Sequence, residues 1–201
     1  MTLRLNGSTS GYTELNAPAV AGNNTLSLPT GNGSNGQFLQ TNGSGALSWA
    51  AGGKILQVLD GSTTTAVTST STSYADSGLT VTITPASSSN KILVNVGFIF
   101  YFVRNSAEMG VKIKLVQTIG GSSTDLYASS GTDGEFYTLN SGISTMSSRG
   151  RIPFVYLDSP ATTSAITYKI QFACSTTANG GTVIAQPISA RSVIAVMEVA
   201  A

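Results

Sequence analysis

The chain contains no histidine and a single cysteine, Cys174, among 201 residues, and charged side chains make up only 9% of it. Without histidine the commonest general base, the usual activator of a serine or cysteine nucleophile and the commonest transition-metal ligand are all missing. The nucleophile-elbow pattern G-x-S-x-G is also absent, so the abundant Ser and Thr have no context that would activate a hydroxyl and read as turn and strand-surface residues. One cysteine cannot form an internal disulfide, and Cys174, at the end of the run Lys169-Ile-Gln-Phe-Ala-Cys174, reads as a small core residue. Ten basic residues against nine acidic ones leave a formal charge of +1. No long-range field draws such a chain to nucleic acid or to anionic lipid. Long apolar runs are missing too: Val96 to Val103 is the longest, well short of the roughly 20 residues of a bilayer-crossing helix, so no membrane insertion is expected. The opening MTLRLNGSTSGYTELN has one Arg and no apolar h-region, so no secretory signal is expected there either.

Glycine is what the chain has in plenty, and it is unevenly placed. Residues 1–53 hold 10 of the 22 glycines and only two charges, Arg4 and Glu14. Within them GNGSNG, residues 31–36, matches the spacing G-x-G-x-x-G. A dinucleotide site needs that motif between a buried strand and a helix, whereas here Pro29 precedes it and the short Gln37-Phe-Leu-Gln40 follows, so the glycines are assigned to turns and no cofactor is expected. Four Asn-x-Ser/Thr triplets, at Asn6, Asn23, Asn32 and Asn42, are read as turn chemistry as well. Short alternating pieces, Tyr12–Leu15, Thr25–Leu28, Gln37–Gln40 and Ala46–Trp49, are too few to close a core. Extended, 53 residues could reach about 170 Å, and Leu3, Leu5, Tyr12, Leu26, Leu28, Leu47 and Trp49 are the candidate contacts of an attachment or stem segment.

Residues 54–201 read as a succession of strands without helices, which predicts an all-β fold: an extended N-terminal arm followed by an antiparallel β-sandwich or jelly roll. Asp60-Gly61, Ser77-Gly78, Gly120-Gly121 and Asn179-Gly-Gly181 are taken as turns. In the strand from Val96 to Val103, Phe98, Phe100 and Phe102 share one face while Ile99 and Tyr101 share the other. Both faces are apolar, so one packs in the core and the other needs a second layer or a neighbouring subunit. These five residues are the candidate subunit interface of a homotrimer, since a symmetric assembly would also serve the coreless first segment. Lys112 with Lys114 and Arg149 with Arg151 alternate onto solvated faces. Asp133 and Glu135 lie too close in sequence for the paired carboxylates of a glycosidase and lack the spacing of a calcium loop. No enzyme and no metal is expected.

The pieces GSTSGYTEL, APAVAGNNTLSLP and NGQFLQTNGSGALSW resemble the amino-terminal segments of tailed-bacteriophage virion proteins, tail fibres above all. KILQVL, SYADSGLTVTITPASSSNKILV and SVIAVMEV resemble the β-domain that follows. The resemblance implies a non-enzymatic homotrimer located on the virion and made in the bacterial cytoplasm. Its partners would be other tail or capsid proteins, and host-surface glycan for an adhesin. A short tail fibre and a capsid-decorating or head-fibre protein both remain open. In an adhesin the stretch DLYASSGTDGEFYTLNSG would supply receptor contacts, with Asp125, Asp133 and Glu135 accepting sugar hydroxyls and Tyr127, Phe136 and Tyr137 stacking on rings, or else packing inward as core aromatics.

Overall fold

A computed structural model describes residues 3–16, 18–20, 22–105, 108–130, 134–138, 145–177 and 180–201; Asp133 and Leu139 lie outside them. The chain divides into two compact units, Met1–Gly52 and Gly53–Ala201, and nearly every regular element is a strand.

The first unit holds two hairpins. β1 (Leu3–Asn6) pairs antiparallel with β2 (Tyr12–Leu15), held at its tip by Gly7 N–H donating to Gly11 O. Arg4 reaches Glu14 at 2.9 Å and lies over the Tyr12 ring. β3 (Gln37–Thr41) pairs with β4 (Leu47–Ala51), placing Leu39 opposite Trp49. The Asn42 side chain accepts from the Ser44 and Ala46 N–H groups in the turn between them. The expected strand at Thr25–Leu28 reduces to one parallel bridge, Ser27 to Ala46.

The second unit is an antiparallel sandwich. Its strands are β5 (Ile55–Thr63), β6 (Val67–Ser69), β7 (Ala75–Ile83), β8 (Lys91–Asn105), β9 (Met109–Ile119), β10 (Ser122–Ala128), β11 (Phe136–Thr138), β12 (Thr145–Asp158), β13 (Ile166–Cys174), β14 (Thr182–Ala185) and β15 (Ser192–Val199). One sheet has β13 at its centre between β7 and β9, with β10 and β11 sharing the far side of β9. The other is built on β8, with β12 along one side and β14 and β15 end to end along the other, flanked by β6 and β5.

Alternation decides what faces inward. Ile166, Tyr168, Ile170, Phe172 and Cys174 of β13 are all fully buried, as are Ile92, Val94, Phe98 and Phe100 of β8 and Val111, Ile113 and Leu115 of β9. The sheets meet at contacts such as Phe98 on Phe172, with ring centroids 5.8 Å apart. Cys174 sits among them with Sγ 3.4 Å from Ser69 O, and burial pushes its thiol up.

Two expected turns are strand interior. Asp60 and Gly61 lie within β5, where a Cβ on Gly61 would fall 1.9 Å from the Thr80 carbonyl oxygen of the facing sheet; the glycine serves close backbone approach. Ser77 and Gly78 form a bulge in β7, with Gly78 at φ +76 and Ser77 Oγ donating to Ile170 O at 2.6 Å. Between β14 and β15, Gln186, Ile188 and Ser189 all take positive φ. Gln186 is fully buried; with its amide turned so that oxygen and nitrogen exchange places, it donates to Thr65 O and Ser77 O and accepts from Ser192 Oγ.

Candidate functional site

Three regions carry the residues singled out from sequence. In the first unit the candidate attachment residues are mostly uncovered: Leu3, Leu5 and Tyr12 are more than half exposed, and Leu26 and Leu28 are 67% and 74% exposed. Leu47 and Trp49 are half-buried, and Trp49 is held in place. Its indole N–H donates to Gly31 O at 2.6 Å, and Gly33 lies so close to the ring that a Cβ there would stand 2.6 Å from it. The GNGSNG loop is therefore a cradle for an indole, and its glycines serve φ and contact. Gly33→Ala, at φ +71, is expected to lift the loop off the ring and shift Trp49 fluorescence to longer wavelength; an unchanged spectrum would show that the indole is not held there.

The second region is the rim formed by β10 and β11. The rings expected to face sugar are turned elsewhere. Phe136 packs between Phe100 and Phe102, centroids 5.1 and 5.3 Å away, and Tyr127 packs on Phe154 at 4.7 Å. This corrects the assignment of Phe136 and Tyr127 as ring-stacking surfaces, because the open side of the sandwich between β10 and β12 needs them as filling. The polar groups bind one another: Tyr127 Oη and Ser129 Oγ both donate to Glu135, Tyr137 Oη donates to Glu108, and Asp125 pairs with Lys114 at 2.6 Å. The hydrogen bond to Glu135, and after it burial, raises the Tyr127 hydroxyl above its ordinary range. Sequence alone did not point to Tyr74 as part of this cluster. Its hydroxyl donates to Ser129 O, its ring lies under the Lys112 and Lys114 ammonium groups at 5.3 and 4.5 Å, and burial with the nearby Asp125 and Glu135 carboxylates raises it too. No spacing rule links Tyr74 to residues 40 positions on; only the sheet does.

The third region is β8. Phe98, Phe100 and Phe102 are buried in the protomer's own core, which removes them from any subunit interface: they are the inward set that the facing sheet covers. Ile99 and Tyr101 occupy the outer face, half-buried, with the Arg149 guanidinium 5.7 Å from the Tyr101 ring centre.

Two buried carboxylates complete the polar inventory. Asp158 accepts from Tyr168 Oη at 2.5 Å and from Gln117, tying β12 of one sheet to β13 and β9 of the other. Burial, then the hydrogen bond to Asp158 and after it the Asp158 charge, push the Tyr168 hydroxyl far above its usual range. Glu198 accepts from Asn90 and Gln57, each at 2.6 Å, and from Ala86 N–H at 2.7 Å. Burial favours its neutral form, yet these hydrogen bonds prevail and hold its carboxyl below the ordinary range. Both groups are walled in by their own donors and act as struts.

No protein-family model matches the chain, and no curated protein matches it. Among solved structures it is similar to the Gx strain of infectious bursal disease virus, at 12% identity over 77% of this chain and 40% of that one with a TM-score of 0.30. It is similar also to the Gt strain, at 14% over 96% and 44% with 0.29, and to T=1 particles derived from infectious bursal virus, at 13% over 98% and 44% with 0.28. The chain thus spans less than half the length of those chains, and at these TM-scores the likeness carries no inference about function.

Proposed function

We propose that the chain is a non-enzymatic structural subunit of a bacteriophage virion, a short tail-fibre or host-adhesion protein acting as a homotrimer. The first unit attaches it and the sandwich is presented outward. The observation that carries this reading is the state of the first unit: two hairpins that leave Leu3, Leu5, Leu15, Phe38 and Leu39 exposed, and a segment between them in which Leu26 and Leu28 are exposed as well. Isolated hairpins are marginal in water, and exposed apolar surface of this kind marks a binding segment. A module so built is complete only against a partner. The resemblance of the same residues to phage attachment segments supports the identity of that partner as a virion protein. The sandwich, whose core lies wholly between Val67 and Val196, needs nothing from the first unit for its own packing.

Virions grown with a chain lacking residues 1–52 test this directly. The truncated protein is expected to accumulate folded in the infected cell and to be absent from gradient-purified particles; its continued incorporation would overturn the assignment. Gold-labelled antibody on complete virions separates attachment to the tail, as proposed, from attachment to the head.

A further inference from the structure

The two outer faces of the sandwich differ in kind. On the sheet centred on β13 the outward positions are Thr80, Thr82, Lys112, Lys114, Lys169 and Gln171: Lys114 is paired with Asp125, Lys169 with Asp76 at 3.0 Å, and Lys112 donates to Thr72 O. Such a face suits water. On the sheet centred on β8 the register places Val58, Met197, Leu93 and Leu157 in one row across β5, β15, β8 and β12. Val58 is 55% and Leu157 52% exposed. The next row runs Asp60, Ala195, Asn95, Val155, with Val155 61% exposed. Arg151 stands beside Ile99 with its guanidinium laid over Gly97, Nη1 3.7 Å from where a Cβ would sit. Among the described residues neither Asp60 nor Arg151 makes an ion pair.

We infer that this face is where a second copy of the chain docks, the Asp60 carboxylate of one copy meeting the guanidinium of the partner subunit's Arg151. The inference deepens the homotrimer reading above and rests on it. Three features favour a second copy as the occupant. An apolar row that reaches from one sheet edge to the other, half-buried at Leu93 and Met197 and exposed at Val58 and Leu157, calls for cover. It is flanked by an unanswered acid on β5 and an unanswered base over β8, which are two strand spacings or about 10 Å apart and so outside salt-bridge reach within one chain. A face carrying both signs in offset positions lets the acid of one copy meet the base of the next, a head-to-tail contact that a three-fold ring repeats at every interface. Pro153 lies in β12, which among the described residues pairs only with β8, and it withholds a ladder donor, favouring contact through the face over strand addition.

Sedimentation velocity on the full chain tests this. The wild type is expected to sediment as one oligomer. Val58→Lys and Asp60→Arg, both at exposed positions, should each raise the dissociation constant at least about tenfold with far-UV circular dichroism unchanged. Asp60→Arg combined with Arg151→Asp should recover assembly. An oligomer indifferent to Val58→Lys, or a charge swap that fails to recover, overturns this face while leaving the trimer and virion attachment standing. A monomeric wild type overturns the face and the trimer together, and virion incorporation remains a separate measurement.

Discussion

Replacing Phe100 by alanine is expected to lower the unfolding free energy by about 3–5 kcal/mol, the range for a fully buried aromatic that leaves a cavity. The ring is 0% exposed and meets Phe136 on one side and Phe102 on another. A Cβ on Gly150 would stand 2.5 Å from its Cζ, so the bare glycine of β12 is shaped to the ring edge. Because β12 is attached to the sandwich through β8, the loss should appear as one cooperative transition in urea, measured at fixed protomer concentration. Adding Gly150→Ala to Phe100→Leu should cost less than the two changes made separately, since the methyl enters space the ring vacated. If Phe100→Ala left the urea midpoint in place, the ring would not be filling the core and the inward assignment of this face would fail.

Glu198→Ala should be nearly as damaging, at about 3 kcal/mol, because it strands the buried Asn90 amide and takes an acceptor from two part-buried donors at once. Asn90, Gln57 and the Ala86 amide all point at this carboxylate, and through them it fixes the loop between β7 and β8 against β15 and β5. The pH dependence follows from the direction of its shift. A carboxyl whose folded range lies below its unfolded one contributes fully above the ordinary glutamate range, and the contribution is lost as pH falls through the lowered folded value. Acid titration of stability should therefore show a loss in the wild type, starting below the ordinary glutamate range, that is smaller in Glu198→Gln. Equal acid slopes in the two proteins would show that the carboxylate is not ionised in the fold.

The alternation in Ile166-Thr-Tyr-Lys-Ile-Gln-Phe-Ala-Cys174 was sufficient to place β13 and its inward set, because a strand with one face in a core has only one register that buries its apolar residues. The same rule could not choose a face in β8, where both are apolar. Covering Phe98, Phe100 and Phe102 is the work of β9, β11 and β13, whose arrival over that face is a matter of topology. Asp60-Gly61 misled for a related reason: an Asp-Gly pair signals a turn through local conformation, while this glycine answers to Thr80 in the opposite sheet. Glu198 and Asn90 are 108 residues apart, and nothing in either neighbourhood announces the other. Local chemistry was legible and partnership was not. This is also why the 125–142 stretch, rich in aromatics and acids, left a binding surface open beside the reading of inward-packed aromatics.

Burial of Cys174 gives the molecule an experimental convenience. Its sulfur is enclosed between Ser69 and Gly181, and its thiolate is disfavoured, so maleimide reagents should pass the native protein by. Any cysteine introduced on the surface then becomes the sole labelling site without first removing the natural one. Fluorophores or cross-linkers can be placed on Val155 or on Thr167 to report on the two faces separately in the same chain.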